Sequence, residues 1–272
     1  MPVARRDPVP ARSRTLLTAD GVRISAAYDP PQLPGRPDDD LAVVLAHGFT
    51  GSWRRPSVRT AVARLTSYAG VVSLDLRGHG RSTGSSTVGD LEVLDVDAAV
   101  RWAHALGHRR VATLGFSLGG AVVVRHAALH GTPEDSVAAV VTVSAPSRWW
   151  YRGTRPMRLA HWAFERPHGR AVLRHGYRTR VDGRHWDPSR PEAWCEPPDV
   201  LAPRIAPVPL LVVHGDRDAY FPLEHAEALH AAAGDPKELW VEPGFGHAEA
   251  AAPAELVRRI GRWLAARTRE RV

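Results

Sequence analysis

A serine hydroxyl attacks a carbonyl carbon effectively only when a base takes its proton, a third group orients that base, and donors await the oxyanion. The pentapeptide Gly115-Phe116-Ser117-Leu118-Gly119 offers such a serine. It follows an apolar run at 110–114 and opens a helical stretch at 118–130, which places the hydroxyl on a strand-to-helix turn. A tight turn there pushes the side chain into the open, and the flanking glycines let neighbouring backbone come close. The pentapeptide alone is a weak signal; its position at the junction makes it a strong one.

The other two groups are present in chain order. His214-Gly215-Asp216-Arg217-Asp218 closes the apolar run 210–213, and Gly244-Phe245-Gly246-His247 follows the run 238–241. Both loops leave the same edge of a parallel sheet as Ser117, the edge where such sheets build their sites. Asp216 and Asp218 lie two residues apart, and by position either carboxylate could orient the histidine. His47-Gly48-Phe49 follows the run 41–46 at that edge too. The Phe49 and Leu118 N–H groups are the candidate oxyanion donors, the latter aided by the dipole of the helix it opens. Phe49 and Phe116 are expected to line the substrate pocket. No HExxH pattern and no pair of cysteines occurs, so neither a metal site nor a cofactor is implied.

These groups need a scaffold. Apolar runs at 41–46, 70–74, 110–114, 137–143, 210–213 and 238–241 read as buried strands. Helical stretches near 56–68, 90–106, 118–130, 222–233 and 253–268 alternate with them, the pattern of a mostly parallel sheet covered on both faces. Two further strands, 15–18 and 22–28, flank Asp20-Gly21, a hairpin turn signal. Residues 1–14 read as a loose tail and residues 30–40 as a loop. Between 147 and 203 the alternation stops: helices are expected near 155–164 and 168–179, among dense Pro and Arg and the tryptophans Trp149, Trp150, Trp162 and Trp186.

Taken together, the motifs resemble the α/β-hydrolases, near the monoacylglycerol-lipase-like and lysophospholipase-like esterases. The likeness covers about residues 15–146 and 204–268 and rests on His47-Gly48, Asp75-Leu-Arg-Gly-His-Gly-Arg-Ser82, the Ser117 turn, His214-Gly-Asp-Arg-Asp218 and Gly246-His247. It implies an α/β fold with an eight-stranded, mostly parallel sheet whose second strand is antiparallel. It also implies core parts at 1–146 and 204–272 and a small helical cap at 147–203. Ser117 is then the nucleophile, Asp218 the acid, Asp216 a brace for the loop, and His247 the base. The implied activity is that of an esterase- or lipase-like hydrolase of carboxylic acyl esters, working through an acyl-enzyme. Thioester hydrolysis or acyl transfer on an acidic carrier such as acyl-CoA is the alternative, and perhydrolysis can use the same triad. Residues 147–203 match no named pattern, so substrate choice does not carry over.

Composition sets the outer bounds. The 272 residues are 44% hydrophobic and 24% charged, ordinary for a globular chain. No apolar run approaches the roughly 20 residues of a membrane span, no secretory leader is visible, and Cys195 is alone, so a cytoplasmic location is expected. The net charge of +7 sits almost wholly in residues 147–190, where eleven arginines face three acids; the rest of the chain is near neutral. Arg166, Arg170, Arg174 and Arg178 recur every four residues, the spacing of one helix face. That face is either simply solvated or an electropositive rim that steers acidic substrates. Trp beside Arg also suits peripheral contact with anionic lipid. A small-molecule acyl ester is the expected partner, nucleic acid is not, and the oligomeric state is not legible.

Overall fold

Leu41–Ala46 is apolar at every position, which suits a strand covered on both faces. The computed structural model describes residues 12–32, 40–130, 136–185 and 194–269. In it this segment is β3 of an eight-stranded sheet. The others are β1 Arg12–Leu17, β2 Arg23–Asp29, β4 Gly70–Leu74, β5 Arg110–Phe116, β6 Ala139–Val143, β7 Leu210–Gly215 and β8 Lys237–Glu242. The spatial order is β1-β2-β4-β3-β5-β6-β7-β8. β2 runs antiparallel to both β1 and β4, and every pair from β4 to β8 is parallel. Leu41, Val43 and Leu45 pack on one face while Ala42, Val44 and Ala46 pack on the other, the period of two that a pleated strand imposes.

Helices cover both faces. α1 (Pro56–Leu65) and α9 (Ala254–Arg269) lie on one side. On the other lie α2 (Val93–Ala105), α3 (Leu118–Leu129) and α7 (Glu224–Ala232). α3 is buried nearly all round, as an apolar helix at the centre of a fold must be. Between β6 and β7 come α4 (Arg155–Glu165), α5 (Pro167–Gly176) and α6 (Pro198–Leu201), the last running into a 3₁₀ turn that packs against α3. A short α8 (Ala248–Ala251) separates β8 from α9.

The chain order produces a crevice. β3 pairs with β4 on one side, and the chain then crosses to place β5 on its other side. The loops after β3 and β5 therefore diverge to opposite faces and leave an opening between them, at a topological switch point.

Several expected boundaries move for physical reasons. α2 begins at Val93 rather than near 90, because the Glu92 carboxylate turns back to bind the Ser86 and Thr87 hydroxyls and the amides of Thr87 and Gly89. β1 takes in residues 12–14, which the sequence alone places in a tail. The arginine ladder does not form one helix face. Arg166 is the junction between α4 and α5, where Pro167 starts a new helix, and Arg178 follows the end of α5 in a left-handed conformation at φ 52°. Arg170 turns inward to the carbonyls of Phe164 and Glu165. The tryptophans also part company: Trp149 is core, Trp150 stacks on Trp194, and Trp162 faces outward. Trp186, most of the tail and most of the 30–40 loop lie outside the described residues.

Candidate active site

Ser117 terminates β5 and caps α3 with φ 50°, ψ −116°, a conformation that L-residues rarely hold. The turn is tight enough to dictate its flanking residues. A Cβ on Gly115 would lie 2.1 Å from the Gly119 carbonyl oxygen, and one on Gly119 would lie 2.4 Å from that of Ala46. The two glycines thus let α3 start directly against β3 and β5, which are neighbours in register at Ala46 and Gly115.

The loops after β7 and β8 bring the other groups to this turn. His247 Nε2 is 2.9 Å from Ser117 Oγ, and its Nδ1 is 2.8 Å from Asp218 Oδ2. The Asp218 side chain is fully buried, and its other oxygen accepts from the Tyr220 and Phe221 amides at 2.8 and 3.1 Å. Burial pushes its pKa up, but the hydrogen bond and positive charge of His247, with those two amides, outweigh it and hold the carboxyl below its ordinary value. Asp216 accepts the Gly244 N–H at 2.6 Å instead and so fixes the loop that carries His247. Of the two acids that sequence position left open, the geometry joins Asp218 to the histidine and gives Asp216 to the backbone.

The His47-Gly48-Phe49 segment is held from both sides. His47 Nε2 accepts the Leu76 N–H at 3.1 Å, so Nδ1 carries the proton and donates to the Gly48 carbonyl at 2.7 Å. Burial pushes His47 down to about 4, which keeps the ring neutral in that role. On the other side Glu249 Oε1 accepts the Gly48 N–H at 3.2 Å. A methyl on Gly48 would stand 3.3 Å from both Glu249 Oε2 and Ser117 Cβ, so the carboxylate closes this part of the site. The Phe49 and Leu118 amides have no protein acceptor among the described residues. Leu118 N–H is one of the orphan donors at the start of α3.

Phe49 stacks edge-to-face on Phe164 of α4 at 5.9 Å and is at the site as expected. Phe116 is not. As an alternate residue of β5 it points to the face covered by α1 and α9, is 1% exposed, and belongs to the core. The segment 75–82 serves structure: the Asp75 carboxylate accepts from Ser52 Oγ, the Trp53 and Arg81 amides and the Arg54 guanidinium. A Cβ on Gly80 would lie 2.3 Å from that carboxylate.

Three residues at the site carry no signal in the sequence. Glu249 is one. Ser144 is another: its Oγ accepts the Ala248 N–H at 3.1 Å and fixes the chain just after His247. Tyr220 is the third, its ring stacked on the His247 imidazole at 4.2 Å. The Tyr220 carbonyl accepts from Thr154 Oγ1 at 2.9 Å, and Thr154 caps α4. α4 is therefore tied to the site at both ends, through Thr154 to Tyr220 and through Phe164 to Phe49. Among the described residues no cluster of three or more His, Cys, Asp or Glu could hold a metal ion.

Comparison with known proteins agrees with this architecture. Residues 42–179, half of the chain, match the family model described as alpha/beta hydrolase fold. The chain belongs to that family. This alpha/beta hydrolase is 26% identical over 251 residues to the uncharacterized protein YfhR of Escherichia coli O157:H7, covering 90% of this chain and 76% of the relative. It is 26% identical over 218 residues to a non-heme haloperoxidase of Rhodococcus erythropolis, covering 69% and 78%. Among solved structures, the Pyrococcus furiosus esterase Pf2001 superposes with a TM-score of 0.71 at 23% identity, over 96% of this chain and 94% of that one. No helix of the described residues is long and apolar enough to cross a membrane.

Proposed function

We propose that this alpha/beta hydrolase cleaves carboxylic acyl esters through an acyl-enzyme on Ser117. The observation that carries the reading is His247 bridging Ser117 Oγ and buried Asp218, beside two amides without protein acceptors. As His247 Nε2 takes its proton, Ser117 Oγ attacks the ester carbonyl, and the Phe49 and Leu118 N–H groups hold the oxyanion. Asp218 keeps the His247 proton on Nδ1 and stabilises the imidazolium that forms. His247 then protonates the departing alkoxide, which leaves as the alcohol. Next it draws a proton from water as that water attacks the acyl-enzyme, and the acid departs with Ser117 restored. Helices α4 and α5, within the segment 147–203, form the cap over this site, with Phe49 as the substrate contact beneath it.

The test is a panel of p-nitrophenyl esters and acyl-CoAs of graded chain length, with the Ser117→Ala protein as blank. Ester turnover above the blank is expected. A folded, soluble preparation that leaves every ester intact overturns the reading. Acyl-CoA turnover that exceeds ester turnover and falls with salt would move it to the acidic-thioester alternative, because steering by exposed arginines is screened. The haloperoxidase relative adds one arm, hydrogen peroxide in place of water as the acyl acceptor, which would yield a peracid.

Glu249 is a positioning residue within this reading. It holds the Gly48 peptide and with it the direction of the next amide, that of Phe49. Glu249→Ala is expected to lower kcat about tenfold to a hundredfold, less than the loss of a whole oxyanion donor, with KM little changed. Glu249→Gln keeps an acceptor oxygen and should restore most of kcat. Steady-state kinetics on both variants decide this: an unchanged kcat in the alanine variant removes the role.

A further inference from the structure

The described residues leave ten large apolar side chains exposed, and five of them fall between Trp150 and Tyr177. On α4, Leu159 is 64% and Trp162 42% exposed; after the junction, Val172 and Tyr177 are each 50% exposed. Arg155, Arg158, Leu159 and Trp162 follow one another at helical spacing along the outer side of α4, opposite the buried His161 and Phe164, and Arg166 follows directly at the junction. The same segment of chain carries exposed guanidinium groups. Arg155, Arg166, Arg174 and Arg178 are exposed and have no acidic partner among the described residues. The one acid from 155 to 180 is Glu165, whose side chain is nearly buried and already paired with Arg152 and His161.

We propose that the outer face of α4 and α5 is a docking surface for an anionic lipid bilayer. Leu and Trp inserted among headgroups, with Arg stems lying along the apolar zone and their charged ends among the phosphates, is the arrangement that interfacial helices use. An acidic protein partner would satisfy the arginines, yet it gives no reason to keep four large apolar side chains unpaired between them. Placement adds a second argument, which rests on the ester-hydrolase reading. The inner side of α4 reaches the site through Phe164 on Phe49, and its first turn reaches it through Thr154 on Tyr220. A helix is about 10 Å across. A bilayer seated on α4 therefore lies one helix thickness from Phe49 and Tyr220, the site residues that α4 touches, and the acyl esters within reach are those dissolved in lipid.

The experiment is co-sedimentation of the full chain with vesicles of phosphatidylcholine alone or of phosphatidylcholine and phosphatidylserine in equal parts, at low and high salt. The protein should pellet with the mixed vesicles at low salt and much less with neutral ones or at high salt. Replacing Arg155, Arg166, Arg174 and Arg178 together by Gln should weaken binding to the mixed vesicles by several hundredfold, at roughly fivefold per guanidinium. Leu159→Ser with Trp162→Ser should weaken it at least about tenfold. Both variants should keep turnover of a short water-soluble ester within about twofold, a sign that the fold is intact. No pelleting of the wild type, equal pelleting with neutral vesicles, or binding that ignores both sets of substitutions overturns the proposal. Soluble poly-glutamate that binds where vesicles do not would give the surface to an acidic protein instead. Ser117→Ala must pellet like the wild type. Vesicle binding without ester turnover thus removes the hydrolase reading and leaves the surface, whereas turnover without binding does the reverse.

Discussion

Ser117→Ala is expected to lower ester turnover by about 10⁴–10⁶-fold while the protein stays folded. The substitution removes one oxygen atom, and that oxygen makes no hydrogen bond to the α3 backbone, although Ser117 occupies the capping position. What it loses is the 2.9 Å contact with His247 Nε2. Alanine keeps the Cβ that the strained φ of 50° already accommodates, so the turn gains no new clash. Activity that remains comes from the orphan amides and from binding, which can still assist attack by water. Initial rates on the best ester of the panel, beside a thermal melt, decide the outcome. A folded variant that retains a tenth of the wild-type rate would place the chemistry on another group.

Asp218→Asn is expected to cost about 10⁴-fold in kcat, nearly as much, for a reason particular to this loop. One oxygen of Asp218 accepts the amides of Tyr220 and Phe221, and the other accepts His247 Nδ1–H. An asparagine must choose. Its single oxygen stays with the two amides, because turning it towards the histidine gives up two hydrogen bonds for one. The NH₂ group then faces His247 Nδ1 as a donor, which puts the ring proton on Nε2. An Nε2–H points at Ser117 Oγ and can no longer receive its proton. Asp216 is held by the Gly244 amide and is not placed to rescue the variant. Comparing kcat with KM separates this from general damage: KM should move little. A loss smaller than about tenfold would show that the tautomer of His247 does not govern the rate.

How much of the molecule is legible in the sequence follows from the range of the interactions involved. Strands such as Leu41–Ala46 and Gly70–Leu74 are readable to the residue, since burial on both faces makes nearly every position apolar. The serine turn is readable because its steric demand falls on two positions in the same pentapeptide, Gly115 and Gly119. Glu249 is not: its partner Gly48 lies 201 residues away in the chain, and no local pattern marks a carboxylate that will meet a distant amide. Ser144 and Tyr220 are hidden likewise, by contacts at the far ends of other strands. Phe116 misleads because its place beside Ser117 in sequence conceals the alternation of β5, which turns it to the opposite face. The arginine ladder misleads because a strict four-residue repeat ignores the helix break at Pro167 and the helix end at Gly176.

The crossing of the chain between β4 and β5 also affects how the protein is made. Gly48 and Phe49 lie early in the chain, Ser117 near its middle, and Asp218, His247 and Glu249 close to its end, yet all converge on one crevice. A chain still waiting for the segment after β7 already contains Ser117 but lacks the His247 that the proposed mechanism needs. On the ester-hydrolase reading, competence comes only once β8 and the loop after it have joined the sheet. On that reading, partly made or truncated chains would lack the activity, whatever hydrophobic surface they expose.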